Sequence, residues 1–464
     1  MSEQPGLSRS LSLGSASAIS TGLAFAAINF LGLAQVLGYV SGPVSWVAIG
    51  VAGLLMLAVR ALFAELNGLF PSAAGIRLWM TRAMNDQLAL IIALTAMLVI
   101  VLVIAADAFI IGEALAYASG SSPAVAFGYV AALLAFATWL NLRGIRLTGL
   151  AERIVTTVVV LATIGVGVIA LLRPGVAHPA PVTSASPVQA VVLAVFVYVG
   201  FEWVTTNAEE VTKPKIIPKA MLVAVGVLAV SQAVFAVAMG RTLTSAGLHT
   251  AYPQLLVAQQ ATGRAGMLVM LGVTALTAVN TFNGGFVTIS RFMYAIAREG
   301  KLPRPLTRLN HRAVPVVPVW LLGGASLVVA LAVIVTHSFA MMVSVGAALE
   351  AVIYSVAAYV VFRLRKRMPG AGRPYRLRGG RPAALGLSVL FGVLALIASV
   401  SVGPAITPAP LLILAGAAVI ITVYVFTYVP RLARREAEEL AARRAARAAL
   451  RAARNAPADG TDRA

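Results

Sequence analysis

Long apolar runs, separated by short clusters of Gly, Pro and charged residues, fill the chain from residue 17 to residue 428. Most reach the roughly 20 residues that carry a helix across a hydrocarbon core of ~30 Å. They predict about twelve membrane-spanning helices, at 17–40, 43–70, 87–118, 123–142, 148–172, 187–208, 217–240, 266–297, 316–336, 340–363, 383–402 and 408–428. Several are longer than a bilayer requires, which predicts tilt or extension beyond it. The loops are short except 173–189 and 241–264, so no folded domain is expected between helices. The stretch RLARREAEELAARRAARAALRAARN (431–455) reads as a solvated helix from its Ala, Arg, Glu and Leu content. A membrane-surface helix is the other reading. Residues 456–464 are expected to be disordered.

Composition agrees with a polytopic helical membrane protein. The chain is 60% hydrophobic and 11% charged, where soluble domains carry about a quarter charged residues. It has no cysteine, which excludes disulfides, thiolate metal sites and cysteine nucleophiles. The small-residue stretch GSASA precedes the first apolar run rather than following it, so no cleavable signal is expected.

Lys and Arg set the orientation. With the N-terminus in the cytoplasm, the outside loops hold only Arg173, Arg241 and Arg264, and the rest of the 36 basic residues fall inside. Both termini are then cytoplasmic. The formal net charge of +20 is explained by this asymmetry and by contact with anionic lipid, without nucleic acid. His178, His249, His311 and His337 lie in loops or at helix ends without metal-ligand spacing. No nucleophile elbow, nucleotide-binding loop or zinc-protease motif is present. The sequence therefore argues against an enzyme, a metal centre or a cofactor.

The informative residues are the polar ones inside apolar spans, where a charge at mid-membrane costs at least ~2.5 kcal/mol. They are Asp107 and Glu113 in span 3, Glu202 in span 6 and Glu350 in span 10. Gly200 lies about 18 Å into its span, near the bilayer midplane, and Glu202 follows it by two residues. A glycine there lets the helix open, and opened backbone at that depth is tolerated only around a cavity or inside protein. Secondary transporters hold substrate in this way. Span 1 is the expected partner, with FAAINF (25–30) at its midpoint and Asn29 as its polar residue. Span 8 adds Asn280, Thr281, Asn283, Gly284 and Gly285.

Structural readings stand beside these. Gly200 and Gly285 also suit close helix packing, Asn29 an interhelical hydrogen bond, and Asp107, Glu113, Glu202 and Glu350 buried carboxyls that face neighbouring helices. Arg60 and Glu65 suit a pair or cap at the cytoplasmic end of span 2, and Glu209 and Glu210 end span 6 at the same side.

Three segments carry a family resemblance: FVYVGFEWVTTNAEEVTKPKIIPKA (196–220), SRFMYAIAREGKLP (290–303) and FAELNGLFPSAAGIRLW (63–79). In this order the chain resembles amino acid permeases of the amino acid–polyamine–organocation superfamily. The resemblance implies an all-α, LeuT-type fold with a five-plus-five inverted repeat, broken helices 1 and 6, and two further helices. The chain then divides into an N-terminal segment (1–16), two repeats (17–172 and 173–363), helices 11 and 12 (364–428) and a basic tail (429–464).

It also implies a secondary active transporter in the plasma (inner) membrane, moving amino acids by alternating access. Coupling would run through protons or exchanged substrate. An amine or polyamine exchanger is the alternative, and a transporter-like amino acid sensor a more distant one. The Arg- and Ala-rich composition points to a bacterial source; oligomeric state is left open.

Substrate contacts are expected at Phe25, Ala26, Ala27, Ile28, Asn29, Tyr198, Gly200, Phe201, Glu202, Asn280 and Asn283. Half-helix N-termini would meet a carboxylate and unwound carbonyls an amino group. Glu202, Asp107 and Glu113 are the proton-carrying candidates, and Glu65, Glu209 and Glu210 the gating or structural acids.

Two departures from the family pattern matter. AAINF (26–30) stands where a glycine-rich segment is common, so Asn29 either supplies a donor to a carboxylate or the substrate lacks an α-carboxylate. Span 5 carries no lysine in TTVVVLATIG (156–165), where some proton-coupled relatives have one.

Overall fold

The computed structural model describes residues 11–72, 75–144, 149–177, 179–183, 185–402, 405–432, 434 and 438. Most of the N-terminal segment, His178 and nearly all of the basic tail lie outside the described residues.

Among the described residues, eleven helices are long and apolar enough to cross a membrane, and a bent pair, counted as one span, makes twelve. The bent pair is span 1: α1 (Leu13–Ala24) and α2 (Ile28–Leu37) meet at 59°. Span 2 is α3 (Ser45–Leu69). A short helix α4 (Gly75–Ala83) follows, then spans 3 to 5 as α5 (Asp86–Ser119), α6 (Pro123–Leu142) and α7 (Gly149–Leu172). Span 6 is α8 (Pro187–Phe196) continued, after a break, by a 3-10 helix (Phe201–Asn207). Span 7 is α9 (Ile216–Thr242), followed by the single turn α10 (Ser245–Leu248). Spans 8 to 12 are α11 (Pro253–Arg298), α12 (Val316–Thr336), α13 (Phe339–Arg367), α14 (Gly380–Ser399) and α15 (Ala409–Val423).

The local signals at helix starts are the expected ones. Asn85 accepts from the Leu88 amide at 2.8 Å and Ser12 from that of Ser15 at 3.3 Å, each filling one orphan donor of a first turn. Pro stands in the first turn of α6, α8 and α11, where its missing N–H costs nothing. At the other end of α5, Gly120 closes the helix with φ +65°.

Besides the single turn α10, three elements differ from the sequence reading. Residues 75–83 form α4 rather than loop, and bury Trp79 and Met80. Nine residues with few consecutive apolar positions fall below the length at which a span is recognised. Residues 253–261 are helical too; non-helical backbone at Thr262 and Gly263 separates them from span 8, close to its predicted start. Spans 11 and 12 are joined by a two-residue hairpin, Ser401–Val402 against Ala405–Ile406.

Burial separates centre from periphery. The most apolar window of span 6 is 78% buried and that of span 10 is 72%, against 17% for span 12. Spans 6 and 10, with span 1, in which almost every residue of 18–37 is buried, therefore form the middle of the molecule. The outer surface carries exposed Leu54, Val328 and Ile420, the lipid-facing surface that such a fold requires.

Candidate functional site

The two breaks touch. α1 ends at Ala24, Phe25 leaves the helical region (φ −88°, ψ 70°), and α2 restarts at Ile28. α8 ends at Phe196, and Gly200 turns the chain at φ +105° into the 3-10 half. A Cβ on Gly200 would lie 2.8 Å from the Leu23 carbonyl oxygen and 3.3 Å from Ala24 Cα. Glycine thus serves here both a left-handed conformation and a backbone-to-backbone approach. Ser20 Oγ donates to the Phe201 carbonyl at 2.6 Å and ties the first half of span 1 to the second half of span 6.

Opened backbone must find new partners. Asn29 supplies one: its Nδ2 donates to Ala24 O at 2.7 Å and to Val197 O at 3.1 Å. These carbonyls end the first halves of spans 1 and 6. Both amide hydrogens are used in this way, which makes Asn29 an interhelical hydrogen-bond donor in this conformation. On the opposite pole, Asp107 of α5 accepts from the Ile28 amide at 3.0 Å through Oδ1. The Ala27 amide and the Thr281 hydroxyl lie beside the same carboxyl. Asp107 is wholly buried, and its Oδ2 has no hydrogen-bond partner among the described residues.

Other expected residues divide. Phe25, Ala26, Ala27, Ile28 and Phe201 are buried around the breaks. Tyr198 turns away, donating to Ile49 O of α3 at 2.8 Å. Asn280 donates to Thr156 Oγ1 at 3.2 Å, and Thr156 to Ala18 O at 3.3 Å, so it clamps α1 to α7 and α11. Asn283 is half-buried on α11. A Cβ on Gly285 would meet Ile104 of α5 at 3.0 Å, a packing contact. Glu113, half-buried, sits with His337 and Tyr252, and the structure does not bring it to the breaks.

A vestibule of about 610 Å³ reaches the second half of span 6 from the face that carries the basic loops. Glu202 and Glu350, each 1% exposed, stand at its inner end. Tyr354 donates to Glu202 Oε2 at 3.1 Å, and the two carboxyls interact directly. Taken as bare carboxylates, Glu202 Oε1 and both Glu350 oxygens have no closed hydrogen bond. Like charges this close in a dry site need a proton or a cation between them. The sequence reading singled out Glu350 as an intramembrane acid without giving it a role, and left Tyr354 aside. Their i, i+4 spacing on α13 put them on one face, but nothing in the chain pointed to Glu202 as their partner.

At the vestibule mouth Arg77 pairs with Glu299 and, at 3.2 Å, with Asp86, and Lys301 meets Asp86 at 2.7 Å. Glu210 lines the same space, while Glu209 is exposed. Around it, Leu11 N donates to Glu210 O at 2.9 Å and Thr212 N to Leu11 O at 3.3 Å, so the chain before span 1 and the chain after span 6 are joined. Glu65 lies buried under the basic loop. It accepts from Arg365 at 2.8 and 2.5 Å and from the Leu377 amide at 2.8 Å, and pairs with Arg373 at 3.3 Å. Arg60 is no partner of Glu65; its Nε donates to Pro218 O at 2.8 Å.

Among the described residues there are up to twelve spans by length and composition, and two of them are broken where they touch. The same architecture is found in the crystal structure of the Eremococcus coleocola manganese transporter in complex with an aromatic bis-isothiourea substituted compound. That likeness has a TM-score of 0.62 at 12% identity, over 91% of this chain and 94% of that one. A mutant of the same transporter gives 0.60 at 13% identity, with the same coverage. At such identity the likeness shows the fold alone.

Residues 10–430 match the amino acid permease family, and the chain belongs to that family. One curated relative, the gamma-aminobutyric acid permease of Escherichia coli (strain K12), is 29% identical over 116 residues. That stretch is 24% of either chain.

Proposed function

We propose that the protein is a secondary active transporter of amino acids or closely related amines, working by alternating access across the plasma membrane with both termini in the cytoplasm. The observation that carries this reading is the pair of broken spans in contact above a vestibule that opens on the basic face. Carbonyl ends and amide ends of four half-helices converge there, and such ends favour cations and anions respectively. The stretch shared with a gamma-aminobutyric acid permease supports a substrate that carries an amino group.

Uptake into proteoliposomes tests the reading. A labelled amino acid or amine is expected to accumulate unchanged inside vesicles that contain the protein. Label that only binds, or that emerges chemically altered, would reject it. A pH gradient or internal substrate is expected to raise the initial rate, according to whether proton coupling or exchange operates.

Proton coupling is assigned to the Glu202–Glu350 pair, with Tyr354 holding Glu202. Both carboxyls are buried, both face the vestibule, and one proton between them removes the mutual repulsion. Glu113, away from the breaks, loses its place among the proton carriers in this reading. Glu202→Gln and Glu350→Gln are each expected to insert normally and to flatten the dependence of uptake on pH between about 5 and 8. A wild-type pH profile in both variants would remove the pair from the coupling path.

A further inference from the structure

At the double break, the poles that attract anions already face carboxyls of the chain itself. The N-terminus of α2 presents the amides of Ala27 and Ile28, and Asp107 sits on them. The 3-10 half of span 6 starts after Gly200, and the amides of Gly200 and Glu202 turn toward the Glu202 carboxyl. The poles that attract cations are differently filled. Ala24 O and Val197 O hold only the neutral amide of Asn29.

The charges around the breaks are one-sided as well. Asp107, Glu202 and Glu350 are all buried. No Lys or Arg occurs in 13–37, 86–119 or 187–207, the residues of spans 1, 3 and 6. A substrate with a free α-carboxylate would have to displace Asp107 from α2, or place its charge among three acids, the arginines that line the vestibule being Arg77 of α4 and Arg291 of α11 rather than residues of the broken spans. A lone ammonium meets the opposite situation: two helix-end carbonyls, which Asn29 can release, and carboxyls in place.

From this geometry we infer that the substrate is an amine without an α-carboxylate, for which Asp107 stands permanently where an amino acid's own carboxylate would bind. The inference rests on the transporter reading above and narrows its substrate class. Asp107 is then a specificity-determining residue, and neither a proton carrier nor a packing residue alone.

The test uses matched pairs that differ only by the carboxylate: lysine with cadaverine, ornithine with putrescine, tyrosine with tyramine. Uptake and ligand-induced thermal stabilisation are measured on the full-length protein. In at least one pair the amine is expected to be favoured about 10-fold or more, the size of one charged hydrogen bond in a buried site. Asp107→Asn, close to isosteric, is expected to lower amine uptake about 10-fold. Asp107→Ala, which clears the α2 N-terminus, is expected to collapse or invert the amine-to-acid ratio. A purely structural Asp107 would weaken both members of a pair alike and leave their ratio unchanged, which would overturn the inference.

Accumulation of the amino acids in preference to the amines by the wild type would also overturn it, while the transporter reading stood. Stabilisation by amines without accumulation of any compound would uphold the ligand class and reject transport. Neither stabilisation nor accumulation would reject both. The wild-type ratio decides the matter even if an Asp107 variant does not insert.

Discussion

Gly200→Ala is expected to abolish uptake, or lower it by at least about 10-fold, with less protein recovered in folded form. Gly200 sits at φ +105°, where a side chain costs about 1–3 kcal/mol in strain alone. The added methyl would also stand 2.8 Å from the Leu23 carbonyl oxygen and 3.1 Å from its carbon. Those atoms are backbone, so no side chain can swing aside. Spans 1 and 6 would be pushed apart where Ser20 and Asn29 bind them together. Gly226→Ala is the control: a Cβ there meets nothing within 4 Å, and in the interior of α9 the change should be neutral or stabilise by about 0.5–1 kcal/mol. Initial uptake rates, with size-exclusion profiles of both variants, check the pair. Wild-type uptake by Gly200→Ala would mean that the breaks are not in the contact described.

The second large effect is expected at Glu65. The carboxylate is 1% exposed and is gripped by Arg365 at 2.8 and 2.5 Å, with Arg373 at 3.3 Å. Removing one partner of such a group leaves buried charge without compensation, a loss of about 3–5 kcal/mol. Glu65→Gln should therefore lower the thermal midpoint in detergent sharply, more than any change at exposed Glu209. The double variant Glu65→Gln, Arg365→Gln should recover part of the loss, because one of the two stranded cations is gone. Thermal unfolding of the single and double variants gives the coupling directly. Additive losses would show that the arginines find other partners and that the buried cluster does not join α3 to the end of α13.

The helix count and the position of the second break were legible because their causes are local. Apolar length announces a span, and a mid-membrane glycine before a carboxylate announces an opening; Gly200 answers to both. Span 1 was legible only as a partner, since Ala26 and Ala27 carry no such signal. What the chain hid are contacts between distant residues. Tyr354 and Glu202 are 152 positions apart, and Ile28 and Asp107 are 79 apart. Each was visible as an oddity in its own helix, and only packing shows which oddities face one another. Asn29 illustrates the limit: its depth was readable, but the direction of its amide depended on where Val197 came to lie. The helix α4 escaped because it neither spans the membrane nor begins with a strong cap, yet it brings Arg77 to the vestibule mouth.

The vestibule is far roomier than the narrow crossing above it. A space of about 610 Å³ admits molecules much larger than a single amine or amino acid, so it screens little by size. In the transport reading proposed above, discrimination falls to a handful of backbone atoms at the breaks and to the three side chains, Asn29, Asp107 and Glu202, that dress them. Admission and recognition are therefore carried by different parts of the chain. A lineage could exchange the groups that dress the breaks, and so acquire a new cargo, while its entry passage and its hinges stayed as they were.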